Sequence, residues 1–344
     1  MPDLLPPSTR NSPGRNAERL AFIIAAMTSF TPRISVVTSL YHGYRYLAGF
    51  LENVWEQTCF PDLELVLVHN EPEPEELSLI QGFMTDYPHQ VQHILVEDVE
   101  SLGASWNRGW ATARGRFVSI WNVDDRRTPD SLVKQVQAME ACPDCVMCYG
   151  PYIRVPAYGS SEGLQVDTPE FKQQWARRSF SIGGAFMMFR REIQELAGPF
   201  DEQFTVAVDM EYGLRLAVAG HPLLRVDSLL GYFTSEQKGL STRGDMNERG
   251  VMETQQTLRR YAIYDKLNPQ LDLNEQPFRQ DEILSQSSWI PLTRYVPKLA
   301  GYRRWRFWLR PLGWLRFTLR DLLVRFGWLE RVHELQNRFI GRDL

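Results

Sequence analysis

Ser119-Ile120-Trp121-Asn122-Val123-Asp124-Asp125 is an apolar run that ends abruptly on two adjacent carboxylates, followed by Arg126 and Arg127. In open α/β sheets ligands collect outside the carboxyl ends of the strands. A strand that delivers acids there can hold a divalent cation and, through it, a phosphate. The plainer reading is that Asp124 and Asp125 only open the loop before Pro129. The flanking segments bear on the choice. Residues 34–39 read as a strand by their β-branched content, 63–68 and 91–96 as further strands, and 116–121 as the strand that ends at the acids. Between them, 44–57 spaces Leu47, Phe50, Leu51 and Val54 as one helix face, and 105–113 reads as a short helix. Pro129 then starts a helix running to about residue 142, with proline near the first turn where its missing N–H costs nothing. Residues 145–149 read as a buried strand. Strands alternating with helices at this spacing predict an α/β fold, a mostly parallel sheet with helices on both faces.

The second half changes style. Residues 181–189 read as an apolar strand opening on Gly183-Gly184, 190–196 as a short helix, and Gly198-Pro-Phe-Asp201 as a turn. A helix over 208–219 carries Asp209 and Glu211 in its first turn, where acids also suit the helix macrodipole. No internal repeat is evident.

A chain of 344 residues can bury one substantial core and leave material for a second element. Net charge is −4, but residues 289–344 hold 12 Lys+Arg against 4 Asp+Glu, or +8, which leaves 26 against 38, or −12, for everything before. An acidic body argues against a nucleic-acid binder, whose affinity comes largely from neutralising phosphates. No apolar run reaches bilayer length, so the expected location is cytoplasmic. Residues 1–32 read as a loose arm, 33–250 as the catalytic domain, 251–288 as a helical linker and 289–344 as a basic, aromatic tail. Cys142-Pro-Asp-Cys145-Val-Met-Cys148 has metal-like spacing, but a fourth ligand is wanting and Cys59 is the only other cysteine. These cysteines are expected to be structural, as small apolar residues.

The order of signals from about residue 34 to 241 resembles the inverting glycosyltransferases of family 2, which have the Rossmann-like GT-A fold. Ile34-Ser-Val-Val-Thr-Ser-Leu-Tyr41 is like that family's opening strand and nucleotide-binding turn. Leu102-Gly-Ala-Ser-Trp-Asn-Arg-Gly109 followed by Ala113-Arg-Gly-Arg-Phe-Val118 is like its Gly…Asn-x-Gly…Ala-x-Gly segment. Asn122-Val-Asp124-Asp125 falls where the family carries Asp-x-Asp, and Gly198-Pro-Phe-Asp201-Glu and Asp209-Met-Glu211-Tyr-Gly-Leu-Arg215 resemble its acceptor-side turn and catalytic-acid helix.

The resemblance implies a nucleotide-sugar donor bound by Thr38, Ser39, Tyr41, His69, Asn70, Gly103, Asn107, Asn122, Asp124 and Asp125, with Asp124 ligating Mn²⁺ or Mg²⁺. It implies Asp209 as general base toward the acceptor hydroxyl, with Glu211 as the nearby acid, and inversion by a single displacement. Departures are also plain. Asn122 replaces an acid, His69-Asn70-Glu71 stands where acids meet the nucleotide base, and Trp106 replaces an arginine near the phosphates. Phe233 and Ser235 replace Arg and His, with Lys238 as a substitute cation. The rival readings are a nucleotidyltransferase and a non-catalytic nucleotide- or sugar-binding protein of the same fold. The loop after 34–38 lacks the glycine and basic density that suit the first.

In the tail, Trp305, Trp308, Leu312, Leu315, Leu319, Leu322, Phe326 and Leu329 recur at steps of three and four, with six arginines off the stripe. Three fates compete: the interface of an anionic membrane, packing on the catalytic domain, or a dimer seam. The first would place a hexosyltransferase at the inner face of a membrane, acting on a glycan or lipid-linked acceptor. Residues 158–178, with Trp175, are expected to form part of the acceptor wall.

Overall fold

The computed structural model describes residues 30–173, 184–236, 244–274, 277–326 and 328. Residues 1–29 of the arm expected over 1–32, the Gly183 start of a strand, Trp175, Lys238 and the tail from 329 lie outside the described residues.

Strands β1 (Ile34–Leu40), β2 (Leu63–Asn70), β3 (Val91–Val96) and β4 (Phe117–Ile120) are parallel, with Ile34 opposite both Leu63 and Phe117. Both faces of β1 and β2 are covered, so their sequences read as near-continuous apolar runs. Alternation still sorts the side chains. Leu63, Leu65 and Leu67 enter one core with Leu47 and Phe50 of helix α1 (Tyr44–Trp55), and Val66 enters a second. Helix α2 (Pro74–Asp86) connects β2 to β3, starting at a proline with Glu75 and Glu76 in its first turn. Helix α3 (Leu102–Thr112), capped by the Ser101 hydroxyl, places Trp106 and Trp110 in the second core.

Past β4, the chain passes Asp124 and Asp125 into β5 (Arg126–Arg127), helix α4 (Ser131–Ala141) and β6 (Met147–Tyr149). Three further strands follow: β7 (Tyr152–Val155), β8 (Leu164–Val166) and β9 (Met188–Arg190). Helices α5 (Ile193–Ala197) and α6 (Val208–Ala219) precede β10 (Leu223–Arg225) and β11 (Gly231–Thr234). The main sheet has the order β10-β6-β9-β4-β1-β2-β3, with β9 the one antiparallel member, and a small sheet has the order β5-β11-β7-β8. Because β5 begins directly after the acid pair, the small sheet starts at the carboxyl end of β4. The strand expected over 181–189 is shorter. A 3-10 turn, Gly184–Phe186, precedes it, and the Phe186 carbonyl accepts Gln135 Nε2 (2.8 Å) where a strand would pair with a strand.

Helix α7 (Gly244–Arg260) runs through the expected boundary at 250. The hairpin of β12 (Glu282–Ser285) and β13 (Ser288–Pro291) straddles the one at 288. The reason is a third core: Leu258, Tyr261, Ile283, Leu292 and Leu299 pack against Leu214 of α6, so residues 251–299 are part of the body. Helices α8 (Leu299–Arg306) and α9 (Arg310–Arg325) follow. Cys142 and Cys145 are joined as a disulfide, beyond the apolar role expected of them, while Cys59 and Cys148 are free and buried. No described helix is long and apolar enough to cross a membrane.

Candidate active site

The loop after β4 is clamped from below. The buried Trp121 donates its indole N–H to the Asp125 carbonyl (3.0 Å), fixing the turn that carries both acids. Asp125 is 1% exposed; its Oδ1 accepts the Thr234 amide (3.0 Å) and its Oδ2 has no hydrogen-bond partner. Burial, and then the charge of Asp124, push its carboxyl well above the usual range, while Asn122 donates to it. Asn122 therefore braces the acid pair.

Asp124 is raised by burial and then by the carboxylate of Glu236, which follows β11. Glu236 accepts Arg45 Nη1 (2.8 Å), the Tyr46 hydroxyl (3.2 Å) and the Tyr158 amide (2.8 Å). The Tyr46 and Tyr158 rings lie 5.2 Å apart, and burial pushes the Tyr158 hydroxyl up to about 12, with Asp124 and Asp125 adding to it. Sequence reasoning assigned no role to Arg45, Tyr46 or Glu236, and placed Tyr158 only in the expected acceptor wall. The available signal was an acid two residues past the Gly231–Thr234 strand.

Asp209 opens α6. Its Oδ1 accepts the Met210 amide (2.7 Å), and burial raises its carboxyl. Tyr152 of β7 links the two halves: its hydroxyl is raised by burial and feels both Asp209 and Asp125, beside the exposed Arg154 that hydrogen-bonds it. Asp209 and Asp125 thus both act on the Tyr152 hydroxyl, with the exposed Arg154 beside it.

Other expected site residues fall elsewhere. Glu211 is fully buried and accepts Arg215 Nη2 (2.5 Å), Arg260 Nη1 (3.1 Å) and the Tyr261 hydroxyl (2.5 Å). Burial opposes its charge, but the two guanidiniums hold the carboxyl below its ordinary value. Arg260 also meets Asp201 Oδ2 (2.7 Å), so the i, i+2 spacing that put Glu211 beside Asp209 in sequence turns it into the protein instead. His69 is fully buried against Glu76 (2.8 Å) and His93 (3.1 Å), and Glu76 in turn accepts the Gly43 amide (2.6 Å). It props the turn after β1 and presents nothing to a ligand.

Asn107 donates to the Phe200 carbonyl (2.9 Å) and Glu202 (3.0 Å) and accepts the Phe200 amide (2.8 Å), which makes it a brace for the Gly198-Pro-Phe-Asp201 turn. Gly103 packs beneath Val208 and Glu202, where a Cβ would stand 3.5 Å from Val208 Cγ1. Trp106 is core, its ring 5.2 Å from Phe200. Asn70, 1% exposed, donates to Ser105 (3.0 Å) and Ser39 (3.5 Å) and accepts the Glu100 amide (3.1 Å), tying the end of β1 to α3. Thr38 is buried with an unpartnered hydroxyl, Ser39 is half-buried and Tyr41 is 48% exposed.

Among the described residues no three His, Cys, Asp or Glu side chains form a metal cage. Mg²⁺-type ions do not require one, since they are bound through one or two carboxylates, water and substrate phosphates. Asp124, with Glu236 near it and the unpartnered Asp125 Oδ2 behind, fits that mode.

Residues 35–196 match the family model for glycosyl transferase family 2. The chain is 26% identical over 202 residues to the amylovoran biosynthesis glycosyltransferase AmsE of Erwinia amylovora, covering 57% of this chain and 74% of that one. It is 26% identical over 221 residues to the O-antigen biosynthesis protein RfbC of Myxococcus xanthus, covering 55% of this chain and 16% of that protein's length. Among solved structures, S. aureus TarS (residues 1–349) superposes with a TM-score of 0.51 at 16% identity over 79% of this chain and 73% of that one, a likeness of fold. Across residues 35–196 the chain thus matches glycosyl transferase family 2, and its mostly parallel sheet flanked by helices shares the GT-A fold of TarS.

Proposed function

We propose that this protein transfers a hexosyl group, with inversion, from a nucleotide-sugar donor to a hydroxyl of a glycan or lipid-linked glycan at the inner face of a membrane. The observation that carries this is Tyr152, whose hydroxyl feels both the candidate base Asp209 and Asp125 of the acid pair. Asp209 meets the needs of a general base, because burial raises its proton affinity and backbone amides donate to its carboxylate. The acceptor oxygen attacks the anomeric carbon as its proton passes to Asp209, and the nucleoside diphosphate leaves with the electrons of the broken C–O bond. One displacement needs no protein nucleophile, hence inversion. A divalent metal (Mn²⁺ or Mg²⁺) held by Asp124 would neutralise the diphosphate. Arg45, paired with Glu236, and Arg154, hydrogen-bonded to Tyr152, are exposed cations that take the place of the basic residues absent from positions 106, 233 and 235. Donor specificity rests on Ser39 and Tyr41 at the carboxyl end of β1.

A solved TarS structure with UDP-GlcNAc bound has a TM-score of 0.52 with this chain, and curated relatives act in O-antigen and amylovoran biosynthesis. These lend support to a nucleotide-sugar donor and a polysaccharide acceptor. The test is nucleotide release from UDP-, GDP- and dTDP-sugars with Mn²⁺, Mg²⁺ or EDTA, on wild type, Asp124→Ala and Asp209→Asn. Release from one donor, lost with EDTA and in Asp124→Ala, is expected. Asp209→Asn should retain donor affinity while losing turnover. Absence of both release and nucleotide binding would overturn the transferase reading. Binding without release by wild type, with any acceptor supplied, would favour a non-catalytic binding protein.

A further inference from the structure

Helix α9 is exposed on the side that amphipathic helices usually bury. Its docked side is narrow: Gly313 is buried, and a Cβ there would stand 2.7 Å from the Tyr264 carbonyl oxygen, with Phe317 half-buried one turn on. Leu312, Leu315, Leu319, Leu322 and Phe326 recur at steps of three and four away from that side and are 44–66% exposed. Trp305, Trp308 and Trp314 are 74%, 82% and 65% exposed. Such a concentration of exposed apolar surface marks an interaction site. Arg304, Arg310, Arg316, Arg320 and Arg325 are exposed around it, and an open groove of ≈ 680 Å³ is lined by Arg310, Pro311, Trp314, Leu315 and Thr318.

We infer that this face lies in the interfacial layer of an anionic lipid bilayer, with the leucines and Phe326 at the acyl boundary, the tryptophans at headgroup depth and the arginines on lipid phosphates. Charge selects this occupant. Residues 299–325 carry seven arginines against Asp321 alone, so pairing two copies through the stripe would bring like charges together. The acidic body could attract the helix, but it already holds the opposite side. The segment 329–344 carries three arginines against three acids and offers no complementary charge. Trp and Arg around an aliphatic stripe suit a bilayer interface, and α9 is neither long nor apolar enough to span one. The inference deepens the membrane-side acceptor proposed above and rests on that reading for its purpose, but not for its physics.

The test is co-sedimentation of the full chain with vesicles of phosphatidylcholine alone or mixed with phosphatidylserine, with nucleotide release measured on the same samples without lipid. Wild type should pellet with the mixed vesicles and far less with phosphatidylcholine, and added salt should release it. Leu315→Glu with Leu319→Glu should abolish pelleting. Arg316→Gln with Arg320→Gln should weaken it by roughly 25-fold, at about fivefold per arginine. All substituted side chains are exposed, so thermal unfolding and lipid-free release should match wild type. Failure of the wild type to pellet while still releasing nucleotide overturns the docking and leaves the transferase standing. Lipid-free self-association abolished by the leucine pair would make a second copy the occupant. Binding to acidic polypeptides in preference to the mixed vesicles would make the partner a protein, and either result overturns the proposal.

Discussion

Glu211→Gln separates a buried strut from a reacting acid. The change preserves shape but removes the charge that Arg215 and Arg260 both face at 2.5 Å and 3.1 Å, in a site of zero exposure. Removing one partner of a buried ion pair costs about 3–5 kcal/mol, because the remaining charge is left uncompensated. Here the remaining cations keep other acceptors. Arg260 retains Asp201, and Arg215 retains the carbonyls of Ala197 (2.8 Å) and Pro199 (2.6 Å), which places the cost near the lower end, about 3 kcal/mol. For a body of about 300 residues, unfolding at roughly 2.1 cal/mol/K per residue, that is a fall in Tm of about 5 °C. Asp209→Asn removes a carboxylate that burial disfavours, so its Tm should equal or exceed that of wild type while turnover disappears. Scanning calorimetry beside nucleotide release on both variants reads the contrast. An Glu211→Gln protein with wild-type Tm and no turnover would refute the reasoning and return Glu211 to the chemistry.

Acid should abolish activity before it abolishes folding. The Asp209 carboxyl is raised, so turnover falls as pH drops through a value above the ordinary one for aspartate; a pH–rate profile whose acid limb sits at or below the ordinary aspartate range would contradict this. Glu211 and Glu64 are lowered in the folded state, in each case against the burial penalty, so their stabilisation is present above the unfolded carboxylate pKa and lost as pH falls through the folded one. Coincident loss of activity and of near-ultraviolet circular dichroism would sink the distinction. Asn107→Ala strands the buried Phe200 amide and should lower stability by about 1–3 kcal/mol in a denaturant titration; an unchanged midpoint would mean that the turn is held by other contacts. Gly115→Ala would set a Cβ 2.6 Å from the Ser35 backbone nitrogen, and the strand shift that follows should cost about 1–3 kcal/mol. A soluble variant with wild-type Tm would show that β1 yields without cost.

Backbone pattern and family-like spacing were legible along the chain. Apolar runs marked β1, β2 and β4 because these strands are covered on both faces, and Gly115 follows from the close approach of two backbones. The acids at 124, 125 and 209 were visible because a carboxylate at a strand end or a helix start is a local signal. Which way each side chain turns was not. Glu211 lies two residues from Asp209, yet at helical spacing that carries it to the side covered by Arg260, some fifty residues away in the chain. His69 alternates inward on β2, where Glu76 and His93 enclose it. Asn107 became a brace only once the Gly198 turn folded over it. Glu236 met Asp124 through the pairing of β11 with β5 and β7, a long-range register that no local window contains. The sequence by itself determined β1 to β4 and helices α1, α3, α4 and α6 in their order, and the chemical types at their ends, since these follow from local periodicity. Only the tertiary structure decided which of those groups share a solvent-facing region and which are spent in the core, because that depends on contacts between segments far apart in the chain.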